Sequence, residues 1–318
     1  MIINLLLLIC GFAALIFGAT KLVDAASSVA VKLGIPNIVI GLTIVAFGTS
    51  APELVVNVFA AVSGSTEMVL GNVLGSNIFN ILGILGIASI IYPLTVKTST
   101  TWLEIPLSLL AAVCVLIISA DVLLDGASDN FISRSEGIVL LLFFAIFLVY
   151  NLTVAKAGGE EEEMETKDYS TGKAVIFIIL GLAGLIVGGR LIVDSAVGIA
   201  EVIGLSERVI GLTVVSVGTS LPELATSVIA VRKKNVDIAI GNVVGSNIFN
   251  IFLILGVSTT VAPLQINDGA FFDIFVNIAA GLLLFIFIFT GKGRKLERWE
   301  GFLLLGLYIA YVSYLVAA

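Results

Sequence analysis

The sequence contains no histidine. This absence excludes imidazole metal sites and histidine-dependent acid–base catalysis. Only two cysteines are present, Cys10 and Cys114, and both lie inside apolar runs, so we expect neither a disulfide scaffold nor a thiolate metal site. Charged residues make up only 12% of the chain, whereas a soluble domain has about 25%. No stretch outside the apolar runs is long enough for a water-soluble core, which excludes a soluble enzyme with a few anchoring helices.

Long apolar runs are what the chain has in abundance. Hydrophobic residues make up 59% and the mean hydropathy is +1.17, which predicts an integral membrane protein. A helix needs about 20 mostly apolar residues to cross a bilayer. Ten such spans are predicted, at roughly 3–23, 37–62, 68–93, 103–121, 135–153, 173–193, 207–232, 238–263, 270–290 and 299–317. Continuous runs of this kind are unlike the alternating pattern of a membrane barrel. The first run lacks a basic start and a cleavage site, so we interpret it as a span rather than a signal peptide.

Basic residues are distributed unevenly over the two predicted sides of the membrane. With ten spans, 13 of the 16 Lys and Arg residues fall on one side and 3 on the other. The basic side is predicted to be cytoplasmic, which places both termini outside the cell membrane. A cytoplasmic linker is predicted at 156–172, and it contains six acids between Gly158 and Asp168. We interpret it as a solvated connection, because it lacks the spaced ligands of an EF-hand loop.

An internal repeat divides the chain into two five-helix units, 1–155 and 173–318. Residues 41–94 match residues 211–264 at a constant offset of 170, and 27 of the 54 aligned positions are identical. Because five is odd, the second unit enters the membrane from the opposite side. Inverted repeats are typical of alternating-access transporters, whose substrate site lies where the repeats meet. The predicted fold is therefore an all-α polytopic membrane protein with ten helices in two inverted repeats. Duplication that only built a stable bundle is the alternative, but the identity is concentrated in polar motifs.

The first polar motif, G-T-S-x-P-E, occurs at 48–53 and again at 218–223. Pro52 breaks its helix and is expected to leave carbonyls around Ala46 to Gly48 without partners. Glu53 shares one helix face with Thr49 and Ser50. Carboxylate, hydroxyl and carbonyl oxygens suit Ca²⁺, Na⁺ or Mg²⁺ better than softer metals. The second copy repeats the set, with Ser216 at the position that matches Ala46.

A second motif places polar side chains on one face of the next span. Asn72, Ser76 and Asn80 follow one another at i, i+4 spacing, and the second copy has Asn242, Ser246 and Asn250. A carboxylate near the bilayer centre costs at least ~2.5 kcal/mol, and no Lys or Arg lies near Glu53 or Glu223 in the predicted spans. A bound cation is the simplest partner for these acids. Asp24 and Asp194 match across the repeat but sit at span ends, where solvation is expected. Glu104 and Asp273 are expected at the interface.

With these paired motifs the whole chain resembles the cation/Ca²⁺ exchanger superfamily, in particular its prokaryotic Na⁺/Ca²⁺ exchanger branch. The resemblance implies that spans two, three, seven and eight form an ion-binding core, beside which spans one and six slide. It implies Ca²⁺ and Na⁺ as transported ions, no cofactor, and the lipid bilayer as the surroundings. Neither nucleic acid nor an obligate protein partner is expected.

By the same resemblance, the implied Ca²⁺ ligands are Glu53, Glu223, Thr49 and Thr219. The implied Na⁺ sites involve Ala46, Ser50, Ser76, Ser216, Ser220 and Ser246, together with Glu53, Glu223 and Thr219. Asn80 and Asn250 form the central polar pair.

The sequence departs from some relatives at Asn250, where they carry Asp. The predicted site therefore has two acids rather than three, which makes the K⁺-dependent subtype a poorer match. The H⁺/Ca²⁺ branch usually has a Glu-His pair after its G-N motif, where this chain has Ser-Asn. The predicted function is Ca²⁺ extrusion in exchange for Na⁺. Proton-coupled Ca²⁺ exchange stays open, as does a gated cation channel, although a channel has no need for inverted repeats. An intramembrane aspartyl protease would need a pair of mid-span Asp residues, which the sequence lacks.

Overall fold

The computed structural model of the chain describes residues 2–64, 66–157, 167–202, 216–291 and 293–317. These residues are mostly helical. In chain order the helices are α1 (Ile2–Leu33), α2 (Asn37–Thr49), α3 (Ala51–Val62), α4 (Thr66–Ile91), α5 (Thr100–Ile118), α6 (Asp121–Asp125), α7 (Arg134–Ala157), α8 (Thr171–Val202), α9 (Ser216–Thr219), α10 (Leu221–Arg232), α11 (Val236–Val261), α12 (Asp268–Thr290) and α13 (Arg298–Ala317). Four short strands lie between helices: β1 (Leu94–Thr95), β2 (Asn130–Ile132), β3 (Leu264–Ile266) and β4 (Lys295–Leu296).

Eight helices of the described part are long and apolar enough to cross a membrane, or nine if α2 and α3 form one bent span. This confirms a multi-pass helical membrane protein. The predicted seventh span, 207–232, begins among residues outside the described part, so the count of ten stays a prediction. The thiols of Cys10 and Cys114 are free.

α4 and α11, which carry the second polar motif in the two copies, form the centre of the bundle. Nearly all of the apolar stretch of α11 and most of that of α4 are buried, whereas only a minority of the apolar stretches of α1, α7, α8 and α13 is buried. Both central helices change from α- to π-helical hydrogen bonding at equivalent places, Phe79–Leu85 and Phe249–Leu255. Such π-helical turns are frequent at functional sites.

α1 and α8 pack backbone against backbone through glycines. A Cβ at Gly18 would lie 2.7 Å from the carbonyl oxygen of Gly181, and a Cβ at Gly188 would lie 2.8 Å from that of Gly11. Small residues permit this close approach between membrane helices. Since Gly11 meets Gly188 and Gly18 meets Gly181, the two equivalent helices of the repeat run antiparallel.

The two sequence copies exchange contacts symmetrically. β1 pairs with β4 and β2 pairs with β3, both antiparallel, so each pair joins one copy to the other. Gly137 of α7 packs on Gly256 of α11, and the matching Gly301 of α13 packs on Gly86 of α4. The short strands were not predicted, because two or three residues in a connection carry no periodic signal.

Candidate ion site

A break in the helix places Glu53 at the centre of the bundle. The chain bends by 47° between α2 and α3, at Ser50, whose φ and ψ are −84° and 0°. Pro52, in the first turn of α3, has no N–H to continue the α2 hydrogen-bond ladder. Glu53 follows in the same turn and is 2% exposed. Ser220 and Glu223 repeat this arrangement between α9 and α10, and Glu223 is 1% exposed.

The carbonyl of Ala46 does not match the expectation from the sequence. It accepts the Ser50 N–H at 2.9 Å and the Thr49 hydroxyl at 3.2 Å. The prediction that the break leaves this carbonyl without a partner is therefore wrong, because the turn at Ser50 still closes one backbone hydrogen bond. The side chain of Ser216, its counterpart, lies outside the described residues.

The two G-T-S-x-P-E motifs reach across to each other's copy. The hydroxyl of Ser50 lies 3.1 Å from both Glu223 Oε1 and Ser246 Oγ. In the matching arrangement Ser220 hydrogen-bonds Glu53 and lies 3.1 Å from Ser76 Oγ. The serines and glutamates predicted from the sequence are thus brought together in one buried cluster.

Four asparagines from α4 and α11 form a closed hydrogen-bonded set between the copies. Asn80 Nδ2 donates to Asn247 Oδ1, and Asn250 Nδ2 donates to Asn77 Oδ1, each at 2.9 Å. Asn77 Nδ2 donates to the carbonyl of Asn247 at 3.2 Å, and Asn247 Nδ2 donates to that of Asn77 at 3.4 Å. Sequence reasoning selected Asn80 and Asn250 but missed Asn77 and Asn247. The sequence did contain a signal, because both copies have Asn at this position of the aligned G-S-N segments. The i, i+4 pattern of Ser76 and Asn80 nevertheless directed attention to a different helix face.

The cluster leaves oxygen atoms without hydrogen-bond partners. Glu53 Oε2, Glu223 Oε2, Asn80 Oδ1 and Asn250 Oδ1 are all buried and unpaired. Within the described residues, neither glutamate forms an ion pair with Lys or Arg. The two carboxylates are close enough for their charges to interact. Buried charge without a counter-charge is costly, so the two glutamates call for a cationic partner that the protein itself does not supply within the described residues.

The two threonines of the site have unequal surroundings. Thr49 is fully buried, and its hydroxyl lies 3.1 Å from Asn242 Oδ1. Thr219 is partly exposed, and its hydroxyl lies 3.4 Å from Asn72 Oδ1. Thr219 also lines a cavity of about 540 Å³ whose wall includes the exposed residues Arg190 and Asp194. We call the end of the bundle near these two residues the far end.

The opposite end, beside residues 167–170, contains ion pairs with buried acids, and we call it the linker end. Asp24 is 8% exposed and bonds Lys233 Nζ at 2.6 Å and Lys167 Nζ at 2.9 Å. Lys97 pairs with Asp237 of α11 at 2.7 Å. The expectation that Asp24 is solvated is therefore wrong, whereas Asp194 is exposed as expected. The hydrogen bond from Lys167 to Asp24 raises the pKa of the Lys167 ammonium above its ordinary value.

Two acids expected at the membrane interface have tyrosine partners instead. Glu104 is 2% exposed and accepts the Tyr150 hydroxyl at 2.6 Å. Asp273 is half-buried and accepts the Tyr311 hydroxyl at 2.8 Å. The Glu104 carboxyl is thus buried against Tyr150 of α7, and an interfacial depth stays a prediction for both acids.

These observations describe paired polar motifs, a buried set of unpaired oxygens and two copies that complete one another's site. The profile of the sodium/calcium exchanger protein family matches residues 3–153 and 173–317. The chain belongs to this family. The family match confirms the resemblance noted from the motifs, and it supports an antiporter of the exchanger type.

Several known proteins match this chain over nearly its whole length. The chain is 36% identical to the inner membrane protein YrbG of Escherichia coli over 99% of the chain and 97% of that protein. It is 34% identical to the sodium/calcium exchanger MaX1 of Methanosarcina acetivorans over 98% of the chain and 97% of the relative. A solved structure of the sodium-calcium exchanger NCX_Mj matches with a TM-score of 0.82 and 33% identity, covering 98% of both chains.

Proposed function

We propose that the chain extrudes Ca²⁺ in exchange for Na⁺ that enters down its gradient. The carrying observation is the set of unpaired buried oxygens on Glu53, Glu223, Asn80 and Asn250. Two carboxylates and two amide oxygens are hard ligands of the kind that Ca²⁺ and Na⁺ prefer. Two ionised glutamates balance one Ca²⁺ or two Na⁺. The ions therefore compete for one set of charges, and this competition couples their movement.

In the proposed Ca²⁺ site, Glu53 and Glu223 are assisted by Thr49 and Thr219. The flanking Na⁺ sites use Ser50, Ser76, Ser220 and Ser246 with the carbonyls of Ala46 and Ser216. The contacts that support this assignment are the 3.1 Å approaches of Ser50 to Ser246 and of Ser220 to Ser76, beside the glutamates. The Ala46 carbonyl accepts the Ser50 N–H at 2.9 Å, which leaves its second lone pair for Na⁺ when the Thr49 hydroxyl donates to the nearer Val45 carbonyl at 3.0 Å.

The proposed transport cycle uses ten helices in two inverted five-helix repeats. The antiparallel packing of α1 on α8 and the reciprocal pairing of β1–β4 and β2–β3 support this arrangement. We assign the linker end to the cytoplasm, because 13 of 16 basic residues fall on that side. The termini then lie outside a cell membrane. The closed linker end and the far-end cavity correspond to a state that is accessible from outside.

The decisive experiment measures Ca²⁺ flux in proteoliposomes under separately imposed gradients. An outward-directed Na⁺ gradient at clamped pH should drive Ca²⁺ uptake into the vesicles, and reversing the gradient should drive Ca²⁺ out. Empty liposomes and vesicles with equal Na⁺ on both sides serve as controls. Uptake driven by a pH gradient alone would replace Na⁺ by H⁺ as the coupling ion. Downhill Ca²⁺ flux without either gradient would indicate a channel.

A further inference from the structure

The asparagine set determines which atom of each central amide is available to a cation. Asn77 and Asn247 are 1% and 2% exposed, and each directly follows a serine of the proposed site. Each donates its Nδ2 to the main-chain carbonyl of the other, at the point where α4 and α11 change to π-helical bonding.

Main-chain carbonyls fix the orientation of these two amides. A carbonyl only accepts hydrogen bonds, so the group that faces it must be the NH₂ of Asn77 or Asn247. The Oδ1 of Asn77 is then directed to Asn250, and the Oδ1 of Asn247 is directed to Asn80. Since an Oδ1 cannot donate, Asn250 and Asn80 must present their NH₂ groups to it.

The central amides therefore have only one orientation compatible with the whole set. The NH₂ groups of Asn80 and Asn250 each donate a hydrogen bond of 2.9 Å. Their Oδ1 atoms are therefore left buried and unpaired. An amide turned by 180° would present N–H groups, which repel a cation. Backbone carbonyls thus fix the amide orientation of Asn77 and Asn247. These two residues in turn fix which atom Asn80 and Asn250 leave unpaired.

We propose that Asn77 and Asn247 are positioning residues that keep the amide oxygens of Asn250 and Asn80 directed at the transported cation. This inference rests on the proposed ion site. Asn77 acts through Asn250 and Asn247 acts through Asn80, and neither binds the ion itself. Loss of Asn77 frees the Asn250 amide to turn, and loss of Asn247 does the same for Asn80.

The test is a double-mutant cycle in proteoliposomes with a fixed Na⁺ gradient. Asn77→Leu is expected to raise the KM for Ca²⁺ about tenfold, since it removes the orientation of one neutral oxygen ligand. The maximal rate should change much less. Asn250→Ala should raise KM by a similar factor, and Asn77→Leu in the Asn250→Ala background should add almost nothing, because its effect passes through the missing amide. Asn247→Leu and Asn80→Ala form a second, independent cycle.

The matched control is Asn151→Leu. Asn151 is a buried asparagine of α7 whose Nδ2 donates to the carbonyl of Phe147, so it resembles Asn77 in burial and bonding but lies on another helix. It should leave KM unchanged. If the leucine variant of Asn77 is not monodisperse, Asn77→Ser replaces it in the cycle. A Ca²⁺-dependent rise in Tm of the purified protein provides a second readout of affinity.

Two results would overturn the inference. Additive KM effects of Asn77→Leu and Asn250→Ala would show that Asn77 acts independently of the amide. An unchanged KM in Asn77→Leu would show that the orientation does not matter. Failure of the ion site itself is distinguishable, because Glu53→Gln would then still transport Ca²⁺.

Discussion

The linker end and the far end of this protein come from two related sequence copies, but among the described residues only the linker end has a buried acid held by two lysines. Asp24 is buried between Lys167 and Lys233, whereas its counterpart Asp194 is 68% exposed and 3.7 Å from Arg190. At an offset of 170, Lys233 corresponds to Ser63 and Lys97 corresponds to Asn267. The lysines that close the linker end are therefore missing from the other copy.

The site between the two ends is nearly symmetric in comparison. Asn80 and Asn250 make equivalent contacts of 2.9 Å, and Ser50 and Ser220 make equivalent contacts of 3.1 Å. The duplicated motifs thus preserve the proposed ion ligands, while a few unmatched charges distinguish the ends. This division suits a transporter, since an ion must find the same ligands from either side while only one side is open.

The largest effect is expected from neutralising either central acid. Glu53→Gln and Glu223→Gln should each abolish Ca²⁺ transport, because either change removes about half of the charge that balances a divalent ion in a buried site. Flux in proteoliposomes at matched protein content measures the effect. Asp129→Asn, at an exposed loop acid, is the control and should transport normally. Near-normal flux in only one glutamine variant would mean that the centre is not functionally symmetric.

Adding an acid to the central pair should alter ion dependence. Asn250→Asp places a third carboxylate near Glu53 and Glu223, and two charges about 5 Å apart at an effective dielectric of 20 repel by roughly 3 kcal/mol. A bound proton or an additional cation relieves this repulsion. Transport should become more dependent on pH or respond to K⁺ or extra Na⁺. Asn80→Asp should change it in the same direction, and opposite responses of the two variants would contradict the symmetry of the centre.

Making the ends alike should loosen the linker end. Lys97→Asn together with Lys233→Ser introduces the residue types of the other copy and removes ion pairs of 2.7 and 2.6 Å. Losing one partner of a fully buried pair costs about 3–5 kcal/mol, but both lysines reach solvent, so about 1–2 kcal/mol is expected. Access to the linker end is measured by the rate at which a membrane-impermeant maleimide labels Ala30→Cys, a buried position of α1. Cys10 and Cys114 are replaced by Ser in all variants.

Labelling should be about tenfold faster in the double variant. Lys32→Asn is the matched control, because it removes the exposed pair with Asp168 at the same end, and exposed pairs contribute about 0–1 kcal/mol. Equal labelling in the double variant and this control would show that the buried pairs do not close the linker end.

The smallest effect is expected from the acidic run. Deleting Glu160 to Glu165, which lie outside the described residues, keeps Lys167 and hence its bond to Asp24. Ca²⁺ flux should change less than twofold, because none of the site residues lies in this segment. A large fall in maximal flux at unchanged protein content would instead make the run a regulatory element.

The repeat and its polar motifs determined much of the candidate site from the sequence. Glu53, Glu223 and the serines of both copies were selected because identical polar residues recur at helical spacing in apolar spans, where polarity is costly. Asn77 and Asn247 were missed because helical periodicity places them away from that face. Their contacts depend on how α4 and α11 cross, which spacing along one helix does not encode.

The membrane character, the duplication and the chemistry of the proposed ligands can be read from the chain alone, since they follow from composition and local pattern. The surroundings of equivalent residues depend on the folded bundle. Asp24 and Asp194 have the same position in their copies, yet one is buried in ion pairs and the other is exposed. The physical reason is that burial and charge pairing depend on residues distant in the chain, here Lys167 and Lys233, which only the folded bundle brings beside Asp24.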